Sequence, residues 1–171
     1  MRLRVLGIMT VLIGCVGGVR AEAAEHFVGA GAHYWRTVDD LADSGFTVED
    51  DGLAYLVSYQ YRPEGLFSFE VDVEYFDKGF GGSDTETISP QGYLVFGHGW
   101  YAAIGAGVVY SSGLEDEVSD PFYAAKVGLE MALIPRVHLD VNANYRFDAW
   151  QQLGDANTDT ITLGAVVRFR L

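Results

Sequence analysis

Cysteine is nearly absent from this chain: Cys15 is the single one in 171 residues. One cysteine excludes a disulfide framework and a Cys-based zinc site. Basic residues are scarce, 11 Lys+Arg against 24 Asp+Glu, for a net charge of −13. Nucleic acid is thereby excluded as a partner, because phosphates demand a basic footprint. Long hydrophobic runs are also missing. Beyond residue 24 no stretch reaches the roughly 18 consecutive apolar residues of a spanning helix. That absence leaves a membrane β-barrel open, since barrel strands signal themselves by alternation. Disorder is excluded by what is present: 49% hydrophobic residues, with 10 Tyr, 10 Phe and 3 Trp.

Residues 1–24 read as a secretory signal. Arg2 and Arg4 give a positive start, Val5 to Val16 an apolar stretch too short to span, and Ala21-Glu22-Ala23 a small-x-small cleavage pattern. Leu12-Ile13-Gly14-Cys15 also resembles a lipobox, which would leave a lipidated Cys15 instead. Loss of Arg2, Arg4, Arg20 and Glu22 moves the net charge from −13 to −15.

From residue 25 the dominant hydrophobic period is two. Phe67, Phe69, Val71, Val73 and Tyr75 share one face, with Ser68, Glu70, Asp72 and Glu74 on the other. The same alternation runs through Leu53–Arg62, Val137–Asp148 and Thr160–Leu171. It is softer in Phe27–Arg36, Thr87–Phe96, Trp100–Tyr110 and Tyr123–Leu133. Pro90 is awkward inside a paired strand and predicts a bulge or distortion there. These segments make eight strands of about ten residues, the length of a tilted transmembrane strand.

The connections alternate between long and short. Thr37–Asp51, Asp77–Glu86, Ser112–Asp120 and Ala149–Asp159 are long; Pro63–Gly65, Gly97–Gly99 and Ile134–Arg136 are short. The long loops hold fifteen acids and one base, Lys78. No charged residue lies on any of the eight apolar faces, where it would cost roughly 2–4 kcal/mol at the bilayer midplane. The sequence therefore predicts an all-β, eight-stranded antiparallel up-and-down transmembrane β-barrel over residues 25–171. Aromatics near both ends of the strands, such as Tyr34, Tyr75, Tyr123, Tyr145 and Phe147 at one end and Tyr61, Phe67, Phe96, Trp100 and Phe169 at the other, are the expected interfacial belts.

Thr162-Leu163-Gly164-Ala165-Val166-Val167-Arg168-Phe169 resembles the outer-membrane assembly signal: polar, x, Gly, two residues, hydrophobic, x, hydrophobic. Leu171 follows, where many members carry Phe, and keeps the outward parity. On this motif and the strand pattern, residues 25–171 resemble the eight-stranded outer-membrane β-barrels. These include the outer membrane protein A transmembrane domain and the outer membrane protein X-like small barrels. The resemblance implies insertion by the outer-membrane assembly machinery, contacting Thr162, Gly164, Val167, Phe169 and Leu171. It implies no catalysis. The expected setting is the outer membrane of a Gram-negative bacterium, as a monomer among lipids and lipopolysaccharide.

An eight-stranded barrel leaves an interior that side chains can fill. Glu70, Asp72, Glu74, Lys126, Glu130, His138, Asp140, Arg146 and Arg168 all fall on the polar faces. Buried together, they must pair or be hydrated. If Asp148 meets Thr160, Asp140 lies near Arg168 and Arg146 near Thr162. Such a set reads as a plug of salt bridges, or as a narrow cation-preferring path past Glu70, Asp72 and Glu74.

Catalytic and metal chemistry find little footing. There is no His-x-Ser motif, and neither His98 nor His138 has a nucleophile and orienting group at hand. The acidic runs at Asp39, Asp40 and Asp43, at Glu49-Asp50-Asp51 and at Glu115-Asp116-Glu117 lack the ordered spacing of a calcium loop. They suit a solvated loop, or a weak divalent bridge to lipopolysaccharide phosphates. Phe46 and Trp150 are candidate loop-tip contacts for a surface partner. No metal, cofactor or catalytic residue is expected, and the role is read as envelope integrity or surface interaction. The rival is a soluble or lipid-anchored periplasmic barrel whose apolar face lines a ligand cavity, as in lipocalins.

Overall fold

The computed structural model describes residues 24–37, 51–77, 86–111, 118, 121–147 and 160–171. Residues 1–23, most of the four long loops, and with them Asp39, Phe46, Glu115 and Trp150, lie outside the described residues. The alternating segments form strands β1 (Glu25–Thr37), β2 (Asp51–Arg62), β3 (Phe67–Phe76), β4 (Thr87–Phe96) and β5 (Trp100–Gly107). Then come the short β6 (Tyr110–Ser111), β7 (Phe122–Ile134), β8 (Val137–Phe147) and β9 (Thr160–Arg170). β5 and β6 are two pieces of one crossing, so eight crossings make the wall.

Each crossing pairs antiparallel with its chain neighbours, and β1 pairs with β9 to close the barrel. Closure removes the sheet edges, so the strand amides can bond without water. Side chains then alternate between lumen and outer surface. On β3, Ser68, Glu70, Asp72, Glu74 and Phe76 are buried, while Phe67, Phe69 and Val71 are exposed.

Three findings refine the sequence reading. The fifth strand does not run unbroken to Tyr110. Val108 donates to the Pro90 carbonyl (3.2 Å), but Pro90 has no N–H to return the bond. The ladder lapses at Val108–Val109 and resumes at Ile88↔Tyr110 in the same register. The distortion expected from Pro90 thus appears in its partner strand. Second, β8 and β9 are offset by two residues from the expected pairing, with His138 facing Arg168, Asn144 facing Thr162 and Arg146 facing Thr160. Third, the inverted reading, with apolar residues lining a cavity, is overturned, because the lumen holds the charges and the apolar residues face out.

The short turns have distinct local causes. Gly65, Gly97 and Gly99 supply positive φ. The β7–β8 turn instead places Arg136 at φ 71°, after Pro135. That is a left-handed position that glycine or asparagine normally fills.

Candidate functional site: the charged lumen

The alternation aims one side chain in two at the barrel axis, and tilted neighbouring strands bring those side chains into layers. At the end carrying the short turns, Arg62 Nη2 donates to Glu130, and Arg62 Nε donates to Gln60 Oε1 at 2.6 Å. His138 Nδ1 lies 2.8 Å from Glu130 Oε1. Phe27 closes this layer, with the Arg62 guanidinium 4.2 Å from its ring centre and the His138 ring edge-on at 5.1 Å.

The central layer is built around Glu70. Lys126 Nζ donates to Glu70 Oε1 at 2.8 Å, and Arg168 Nη1 donates to Glu70 Oε2 at 2.7 Å. Gln60 is a third donor to Glu70, reaching Oε2 at 2.8 Å and joining this layer to the one below. Lys126 also reaches Asp72 at 2.6 Å and stands 3.8 Å over the Tyr93 ring. Arg168 lies 3.5 Å from Asp140, which accepts from the Tyr101 hydroxyl (3.0 Å) and Asn142 (2.7 Å). Asp140 and Arg168 therefore meet diagonally, although the register places Val166 directly opposite Asp140.

Toward the long loops, Glu74 takes His33 Nδ1 at 2.8 Å on one oxygen and Arg146 on the other. The Arg146 guanidinium also faces the rings of Phe76 and Phe122 at 5.2 and 5.1 Å. Arg146 thus pairs with Glu74 across the lumen, and Thr162 is opposite Asn144. These pairings matter because an uncompensated charge in a low-dielectric interior costs several kcal/mol.

All nine charged residues expected in the lumen lie on these layers. Arg62 and His33 join them in the lumen and were not among the expected set. The parity of Gln60 points to Arg62, and the parity of Gly31 points to His33. The C-terminal pattern residues divide by face: Thr162 is buried, while Val167, Phe169 and Leu171 are exposed and Gly164 is part-covered. Among the described residues, no group of three or more His, Cys, Asp or Glu could hold a metal ion. The histidines contact Tyr59, Glu74, the Gly65 carbonyl and Glu130; none of these is a serine.

No family model and no curated protein matches the sequence. Several solved structures match its fold. Neisserial surface protein A is 19% identical with a TM-score of 0.59, over 88% of this chain and 100% of that one. The Pseudomonas aeruginosa outer membrane protein OprG is 14% identical with a TM-score of 0.50, over 89% and 99%. A de novo designed transmembrane β-barrel is 12% identical with a TM-score of 0.51, over 86% and 95%. Together with the polar lumen and apolar exterior, these define the class: an eight-stranded transmembrane β-barrel. Within that class, the fold is that of the small outer-membrane barrels. A designed barrel matches about as well as natural ones, so the likeness carries fold and not role.

Proposed function

We propose that this protein is a monomeric, non-enzymatic barrel of the Gram-negative outer membrane, delivered by a leader over residues 1–24. Its lumen serves as a structural plug, and its acidic loops act in envelope integrity or surface interaction. The observation that carries this reading is Glu70 held between Lys126 and Arg168 in the middle of the lumen. A cation path would need free carboxylates, yet Glu70, Asp72 and Glu74 each engage a cationic side chain. A hydrolase would need a nucleophile beside a base; His33 Nδ1 and His138 Nδ1 each meet a carboxylate, as an oriented base would, but among the described residues no hydroxyl is bonded to His33 Nε2. The setting is supported by solved barrels of this fold whose names place them at the bacterial surface or outer membrane. The last strand, with Gly164 and Phe169, is the proposed contact for the assembly machinery. The loop acids would meet lipopolysaccharide phosphates through divalent ions.

Two measurements test this. The purified protein in a planar bilayer should give no steady single-channel current; a cation-selective conductance would overturn the plug. Cells carrying a variant shortened in residues 38–50 and 112–117 should keep the folded barrel yet lose surface attachment or resistance to detergents. Unchanged cells would overturn the role of the loops.

A further inference from the structure

Seven of the eight pairings in the wall join crossings consecutive along the chain; the eighth, β1 with β9, joins its two ends. No turn of any length sets the register of that seam, so side chains must. The outer face of the seam cannot. Val28, Ala30, Ala32 and Tyr34 face Phe169, Val167, Ala165 and Leu163, and a slip of two residues would still set apolar against apolar.

The inner face is different. Between the flanking pairs Phe27 with Arg170 and Trp35 with Thr162, its three successive middle pairs are Gly29 with Arg168, Gly31 with Val166, and His33 with Gly164. Each places a glycine on one strand against a side chain on the other. The fits are close: a Cβ on Gly164 would lie 1.7 Å from His33 Cδ2, and one on Gly31 would lie 2.2 Å from the Ala165 carbonyl oxygen. A slip of two in one direction sets His33 against Val166; in the other, it sets His33 against Thr162. Either slip loses the seat of the ring. His33 is also tied across β2 to Glu74 on β3, which in turn holds Arg146 on β8. The ring in its glycine seat is thereby referenced to strands on both sides of the seam.

We propose that His33, seated on Gly164 and anchored by Glu74, is the register lock of barrel closure. It selects one of several outer-face registers that lipid contact leaves equivalent. Gly164, the glycine of the C-terminal pattern, thus has a second task inside the finished barrel.

The test is thiol cross-linking of the folded, full-length protein in a Cys15→Ser background, with a short bifunctional reagent. Ala32→Cys with Ala165→Cys reports the native register; Ala32→Cys with Val167→Cys or Leu163→Cys reports slips of two. The parent, and a Gly92→Ala control whose added Cβ meets nothing within 4 Å, should cross-link in the native register. His33→Ala empties the seat without a clash. It should lower the ratio of native to slipped product by roughly tenfold, a modest free-energy change for losing one well-packed contact. Gly164→Ala should do the same, or should lose the folded band and regain it when combined with His33→Ala. An unchanged ratio in His33→Ala would overturn the lock. So would a Gly164→Ala protein, refolded into detergent without the assembly machinery, whose folded band His33→Ala does not restore.

Discussion

Glu70 and Phe69 are neighbours in sequence and opposites in setting. Glu70 is 1% exposed at the centre of the lumen, while Phe69 is 54% exposed on the outer belt. In a water-soluble domain the two would change places. Among the described residues, eighteen buried side chains are polar or charged and thirteen are hydrophobic. The hydrophobic effect therefore acts at the outer surface, against lipid. The interior is filled by paired charges, which tolerate the loss of one partner poorly because the other is left buried and uncompensated.

That contrast yields a ranked set of expectations, each read from the denaturant midpoint of the folded band in lipid or detergent. The largest effect belongs to the lumen. Glu70→Ala leaves Lys126 and Arg168 buried around a missing anion, and should cost about 3–5 kcal/mol. A midpoint equal to the parent's would mean that water carries those charges. Next comes the belt: Val71→Arg, at the middle of β3 and facing out, should cost about 2–4 kcal/mol, while Val71→Leu changes almost nothing. Equal tolerance of both would remove the lipid from the outer face.

Within the lumen, double-mutant cycles should separate near from far pairs. Glu70 with Arg168, at 2.7 Å, should couple by more than about 1 kcal/mol; Asp140 with Arg168, at 3.5 Å, should couple by less. A reversed order would mean that Asp140 is the principal anchor of Arg168. The smallest effect lies outside both regions. Arg136→Gly relieves a left-handed residue in the β7–β8 turn and should stabilise the barrel by up to about 1 kcal/mol. A loss there would show that the arginine side chain contributes more than its backbone costs.

Much of the wall was legible in the sequence because a period of two is a local property. Each strand announces its own faces, and the short turns announce themselves with glycine or proline. Relations between strands were harder to read. The β8–β9 register is set across a long loop, so an offset of two residues left every face assignment intact and moved Arg146 away from Thr162. The lapse at Val108–Val109 comes from a missing N–H on the neighbouring strand, which alternation within β5 cannot register. Partners across the lumen were the least accessible. That Arg146 pairs with Glu74, or His33 with Glu74, depends on strands brought together by closure. Arg62 had the right parity all along, but its position at the end of β2 concealed that it reaches inward to Glu130.

The central claim is that this chain is a membrane barrel with its apolar face outward. It is tested most directly by the gel mobility of the membrane-extracted protein in SDS, before and after boiling. A band that requires detergent for extraction and shifts on heating is the predicted result, because a closed barrel resists SDS until its lumen pairs and ladder are melted together. A protein released in the soluble periplasmic fraction, with one mobility at every temperature, would contradict it.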